Sequence, residues 1–94
     1  MKLSTLVRTA RSKQGLNLRD LAGVVGVSAS FLSRIERGHH VRISDRRLAF
    51  LAEALDLPVD DVFRCAKRLP PDIEKFVLDN LERVRRTMLR GAAA

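Results

Sequence analysis

The chain has 94 residues, 46% of them apolar and 31% charged, with five Gly and three Pro, which suits one compact core and excludes a second independent one. Eighteen Lys and Arg against eleven Asp and Glu give a formal charge of +7, and fourteen of those cations are Arg, whose planar fork suits phosphate and guanine edges, so an anionic partner is expected. No apolar run nears the roughly 18 residues of a membrane span and no signal-peptide pattern opens the chain; one Cys and two His make neither an internal disulfide nor a structural zinc site, so a cytoplasmic protein with no cofactor, no metal and no membrane contact is expected.

Leu3, Leu6, Val7 and Ala10 follow the i, i+3, i+4, i+7 stripe of an amphipathic helix, predicting a first helix from about Lys2 to Lys13 that Gly15 stops. Asn17 is placed as an N-cap, with Asp20 three residues on, for a short second helix carrying Leu18, Leu21, Ala22 and Val25. Gly26 ends it through the positive φ that a tight turn needs, and Ser28 caps a third helix through Leu32, Ile35 and Arg37 that closes at Gly38. After the basic loop His39 to Ile43, Ser44 caps a fourth helix whose Leu48, Leu51, Ala52 and Leu55 face a core. Leu57-Pro58 breaks the chain, and Asp60 and Asp61 suit the positive end of a fifth helix reaching about Arg68. Leu69-Pro70-Pro71 is the strong internal boundary; beyond it Ile73, Phe76, Val77, Leu81, Val84 and Met88 recur at helical spacing, predicting one long helix over 72–90. No alternating run lasts four residues, so no strand is expected. The chain is therefore all-α: a five-helix domain over 1–68, a C-terminal amphipathic helix within 69–90 and a flexible tail over 91–94. Cys65, three residues after Val62, is expected as a buried small apolar residue, and Phe31 as core or groove-wall packing.

Two short helices joined by a Gly-containing turn let the second helix lie in a DNA major groove. From Leu16 to Gly38 the chain reads LNLRDLAGVVGVSASFLSRIERG. With Leu21-Ala22, Gly26-Val27-Ser28 in the turn and Ile35-Glu36-Arg37-Gly38 at the end, this segment resembles the helix-turn-helix of the Xre family, the Cro and C1-type, lambda-repressor-like transcriptional regulators. The resemblance continues through Leu48, Leu51, Ala52, Leu55 and Asp61-Val62-Phe63, over about residues 3 to 66. It implies a five-helix lambda-repressor-like domain in a bacterial or phage protein, with Ala29, Ser30, Ser33 and Arg34 meeting base edges. Arg34 is the main specificity residue: its guanidinium donates two bonds to guanine O6 and N7, worth roughly 1–3 kcal/mol of discrimination, whereas Ala29 offers only apolar contact to a thymine methyl. Many relatives carry Gln at the positions of Ala29 and Leu18, and losing both amides shifts weight onto phosphate contacts and DNA shape. The resemblance also pairs Glu36 with Arg11, neutralising an acid in a region that faces phosphate and docking the first helix on the third.

Phosphate contacts are expected from the amide groups at the starts of the second and fourth helices and from Asn17, Arg19, Ser28, Arg37, Arg42, Ser44, Arg46 and Arg47, with Arg37 and Arg42 foremost. Asn17 and Ser44 serve as caps whether or not they touch DNA. His39 and His40 read as a solvated loop rather than a metal or pH sensor. No Ser/His/Asp set, metal cluster or Gly-rich phosphate loop appears, which argues against an enzyme. The stripe Ile73, Phe76, Val77, Leu81, Val84 and Met88 is too long for a five-helix domain to cover and is expected as the seam of a homodimer, which places two recognition helices about 34 Å apart on a palindromic operator. The alternative is that this helix folds back on the first and fifth helices; Arg83, Arg85, Arg86 and Arg90 form its solvated face. The sequence therefore reads as a repressor that binds double-stranded DNA. The competing reading is an antitoxin-like interaction protein whose last helix covers a small partner protein while its DNA binding autoregulates the operon.

Overall fold

The computed structural model describes residues 1–93, which form the helices α1 (Leu3–Lys13), α2 (Leu18–Val25), α3 (Ala29–Glu36), α4 (Asp45–Ala54), α5 (Val59–Cys65), α6 (Pro71–Asp79) and α7 (Leu81–Ala93), with no strand among the described residues. Side-chain oxygens start three of these helices. Asn17 Oδ1 accepts the Asp20 amide at 2.8 Å, Ser28 Oγ that of Phe31 at 3.0 Å and Ser44 Oγ that of Arg47 at 3.2 Å. Each bond satisfies one of the amides that the first helical turn leaves unpaired. Ser44→Ala is expected to cost about 1 kcal/mol, a fall in melting temperature of roughly 4–8 °C in a calorimetric scan.

Among the described residues fourteen apolar side chains make the core, all between Val7 and Phe63, and the largest fully buried ones are Phe63, Leu21, Leu32, Leu48, Leu51 and Leu55. They bring α1 against α3 and α5, α2 against α3 and α4, and α4 against α5, while α6 and α7 meet at their junction. The loop before α4 also contributes, through the buried side chain of Ile43. Between α2 and α3, Gly26 at φ +83° accommodates the left-handed backbone of the turn, and the amides of Gly26 and Val27 both donate to the carbonyl of Ala22. A side chain here would cost about 1–2 kcal/mol in backbone strain alone.

Beyond Val62 the structure departs from the spacing argument in four places. The fifth helix ends at Cys65, not near Arg68. Lys67 turns into the left-handed region at φ +59°, its amide donates to the Arg64 carbonyl, and the Arg68 amide reaches back to that of Phe63; this paired closure of a helix end caps the last carbonyls and turns the chain away. Cys65 is only half-buried, because it sits on the last turn of α5 and no later helix packs extensively there.

The long C-terminal helix is two helices divided at Asn80, which has φ −131° and ψ 35°. Asn80 Nδ2 donates to the Phe76 carbonyl at 2.8 Å, its amide donates to Val77, and its own carbonyl accepts the Val84 amide that begins α7. A short amide side chain thus competes for the backbone bonds that would have carried one helix through. Residues 91–93 continue α7 instead of forming a tail, and residue 94 lies outside the described residues.

Candidate nucleic-acid interface

The two eight-residue helices α2 and α3, with the Gly26-Val27-Ser28 turn between them, stand on the core through Leu21, Ala22 and Val25 from one and Leu32 and Ile35 from the other. Burying that side of α3 turns the other outward. Ala29, Ser30, Ser33, Arg34 and Arg37 follow i, i+1, i+4, i+5, i+8 spacing and share roughly 140° of the helix surface at 100° per residue. Ala29, Ser30, Arg34 and Arg37 are exposed, and Ser33 is half-buried between them with its carbonyl accepting from Arg37 Nε at 3.4 Å. Phe31 falls outside this group and packs partly against the core.

Beside the start of α3 lies a shallow cleft of about 240 Å³, lined by Gly26, Val27, Ser28, Phe31, Arg42, Ile43, Ser44 and Arg47. It joins the N-terminus of α3, the loop before α4 and the first turn of α4, so two capping hydroxyls and two guanidinium groups border one depression. Helix N-termini present free amides and about half a positive charge, which favours an anion there. Asn17 and Arg19, at the start of α2, are exposed but outside the cleft. Arg46 points elsewhere as well, its guanidinium stacked 5.5 Å from the ring centroid of Phe50 on the next turn of α4. The ion pairs among the described residues use Arg11, Arg64, Arg68, Lys75 and Arg86. Arg34, Arg37, Arg42 and Arg47 take no part in them, so their charge is offered to solvent on the side where α3 is exposed.

Among the described residues the one buried charged side chain is Glu36, at 6% exposure. Arg11 of α1 grips it in a two-pronged pair, Nε to Oε2 at 2.6 Å and Nη2 to Oε1 at 2.9 Å, while Arg11 Nη1 donates to the Leu16 carbonyl at 2.9 Å. The bond to Glu36 raises the Arg11 pKa above its ordinary value, against the desolvation that lowers it. No buried side-chain polar atom lacks a partner among the described residues. The pair fixes the end of α3 on α1 and removes a negative charge from the exposed side of α3.

Four polar contacts of this region, made by three side chains, had no signal in the local spacing. Arg8 Nη1 donates to the Glu36 carbonyl at 3.4 Å, Gln14 Nε2 donates to the Leu55 carbonyl, and Arg68 Nη1 donates to the Ile43 carbonyl and, at 3.3 Å, to Asp45 Oδ1. They join residues 23 to 41 positions apart, a separation that helical periodicity cannot address. Further along the chain, α6 and α7 leave Ile73, Phe76, Leu78, Leu81, Met88 and Leu89 exposed, with Phe76 at 51% and Met88 at 69%, and Glu74, Val77 and Leu78 of α6 border a second cavity with Asp45 and Arg68. Val77 and Val84 are half-buried. Leu78 and Leu89 belong to the uncovered apolar surface although the stripe read from the sequence omits them.

An exposed polar second helix, an anion-favouring cleft at its start and an unpaired set of arginines define a helix-turn-helix domain. Residues 2–63 match the helix-turn-helix domain family, and the chain belongs to it, with a helix-turn-helix of the Xre type. It is 33% identical to the HTH-type transcriptional regulator SlrR of Bacillus subtilis over 61 residues, 65% of this chain and 40% of SlrR, so the match spans well under half of that relative. The N-terminal DNA-binding domain of SinR from Bacillus subtilis is 30% identical, with a TM-score of 0.58 over 65% of this chain and 88% of that one; a crystal structure of SinR in complex with DNA matches at the same identity and TM-score, over 65% of this chain and 97% of that one. The clp gene regulator ClgR from Corynebacterium glutamicum is 33% identical, with a TM-score of 0.59 over 87% of this chain and 84% of that chain. No helix among the described residues is long and apolar enough to cross a membrane.

Proposed function

We propose that this chain is a cytoplasmic, dimeric repressor that reads a palindromic operator in double-stranded DNA. The observation that carries the reading is the exposed side of α3, where Ala29, Ser30, Ser33 and Arg34 stand together beside the cleft of Ser28, Arg42, Ser44 and Arg47. In this reading α3 enters the major groove, the first four residues meet base edges, and the cleft residues with Asn17, Arg19 and Arg37 hold the phosphates. The SinR structure with DNA bound supports it by likeness. Arg46 joins only by leaving Phe50. Residues 1–68 are the DNA-binding part, and occupying the operator is the simplest way for it to act.

The dimer rests on Ile73, Phe76, Leu81 and Met88, which are exposed, with the half-buried Val77 and Val84 completing the seam. Its charges favour a second copy: α6 carries Asp72, Glu74 and Asp79 against Lys75, whereas α7 carries Arg83, Arg85, Arg86 and Arg90 against Glu82. Placing α6 of one protomer along α7 of its partner opposes unlike charges across an apolar seam. Phe76→Glu is expected to leave the domain folded and yield monomers in sedimentation, with weaker operator binding. A wild-type monomer at tens of micromolar, both free and on DNA, would remove the dimer and leave the apolar surface to a small partner protein, as the antitoxin-like reading requires.

The deciding experiment is selection of bound duplexes from a randomised library at about 150 mM salt, where purely electrostatic binding is already much weakened. An enriched palindrome is expected; binding without enrichment that vanishes with salt would overturn the operator-reading function.

A further inference from the structure

Arg68 stands outside the region that matches the helix-turn-helix family, which ends at residue 63, yet its side chain returns to the candidate interface. The left-handed Lys67 and the backbone bond from Arg68 to Phe63 turn it back. Its Nη1 then donates to the carbonyl of Ile43 and to the carboxylate of Asp45, the residues on either side of Ser44. Among the described residues, the backbone of residues 40–43 makes no other hydrogen bond within the chain. This loop carries Arg42 and leads into the Ser44 cap, both of which border the cleft. Asp45 also adds a carboxylate to the first turn of α4, close to where that cleft would receive a phosphate.

We propose that Arg68 is a positioning residue for DNA-backbone binding: it clamps the loop before α4 and offsets the charge of Asp45, so that Arg42, Ser44 and Arg47 hold one phosphate-binding arrangement. The inference rests on the reading that this cleft faces DNA. A long side chain anchored at a loop carbonyl removes conformational freedom that binding would otherwise have to remove, and a pair at the start of α4 lowers the repulsion between Asp45 and phosphate. Arg68 acts through these groups and not by reading bases, so its loss weakens binding without changing the preferred sequence.

The test compares Arg68→Gln with Arg64→Gln, which removes the same charge from an exposed pair with Asp61. Duplex binding is measured at about 150 mM salt, at a temperature where thermal scans find both variants folded. Arg68→Gln is expected to bind about tenfold more weakly than Arg64→Gln, the size of effect that a displaced phosphate contact gives, with the same selected sequence. Backbone NMR order parameters of residues 40–44 should fall while those of α3 stay unchanged, which distinguishes a loosened loop from a loss of global stability. Equal affinities in the two variants would overturn the role of Arg68. Arg42→Ala separates the two levels: if it weakens binding and Arg68→Gln does not, only the clamp fails; if neither does although the wild type binds, the cleft reading fails and the clamp with it.

Discussion

Glu36→Ala is expected to lower the unfolding free energy by about 3–5 kcal/mol, on the order of 20 °C in melting temperature for a domain of this size. The magnitude follows from where the charges lie. The side chains are 7% exposed at Glu36 and 18% at Arg11, so water screens little of the interaction, and the variant leaves a guanidinium facing the end of α3 with its two acceptors gone. The size of the loss measures the stranded charge and not the net worth of the pair. Accordingly, Arg11→Met combined with Glu36→Leu should recover most of the stability, because neither charge then remains buried. Urea titration of the three proteins decides it; a loss below about 1 kcal/mol for Glu36→Ala would place the pair among solvent-screened surface bridges. The raised Arg11 pKa sets the pH dependence. A base held more tightly in the folded state contributes fully below its unfolded pKa and loses that contribution as pH rises through the folded value, which for a guanidinium confines the loss to strong alkali.

The first 63 residues were legible because their signals are local. Asn17, Ser28 and Ser44 mark helix starts within three residues, Gly26 marks a turn by its own φ, and Leu48, Leu51 and Leu55 reveal a buried side by spacing alone. The all-α fold and the Xre-type family follow from these residues together. What periodicity could not supply was competition between equally local alternatives. The apolar spacing across Asn80 fits one helix, but the Asn80 amide bonds the Phe76 carbonyl and ends α6. Lys67 adopts a left-handed backbone that its type does not announce, and the fifth helix stops short. Arg68 was invisible for a different reason, since its partners lie 25 and 23 residues away and only the folded chain brings them together. Arg46 shows the reverse limit: its charge fits a phosphate contact, yet the nearest use of its guanidinium is the ring of Phe50.

Arg34→Ala should act on sequence preference, and Arg42→Ala on affinity alone. Arg34 is exposed one turn into α3, on the side shared with Ser30 and Ser33 and free of the described ion pairs. If it donates to O6 and N7 of a guanine, removing it costs roughly 1–3 kcal/mol at that base pair, a loss of about 5- to 150-fold in binding to the selected operator. Binding to a site altered at that position should fall little, so the selected motif blurs at one position in each half-site while the salt dependence changes by no more than the lost cation requires. Arg42 borders the cleft through its place in the loop; its loss should weaken all duplexes alike and reduce the slope of log affinity against log salt by about 0.9. Measuring both variants on both duplexes at two salt concentrations separates the roles. A uniform loss for Arg34→Ala, with the motif intact, would move Arg34 to the phosphates. Base reading would then fall to Ala29, Ser30 and Ser33, whose short side chains offer fewer bonds, and operator choice would rest mainly on DNA shape.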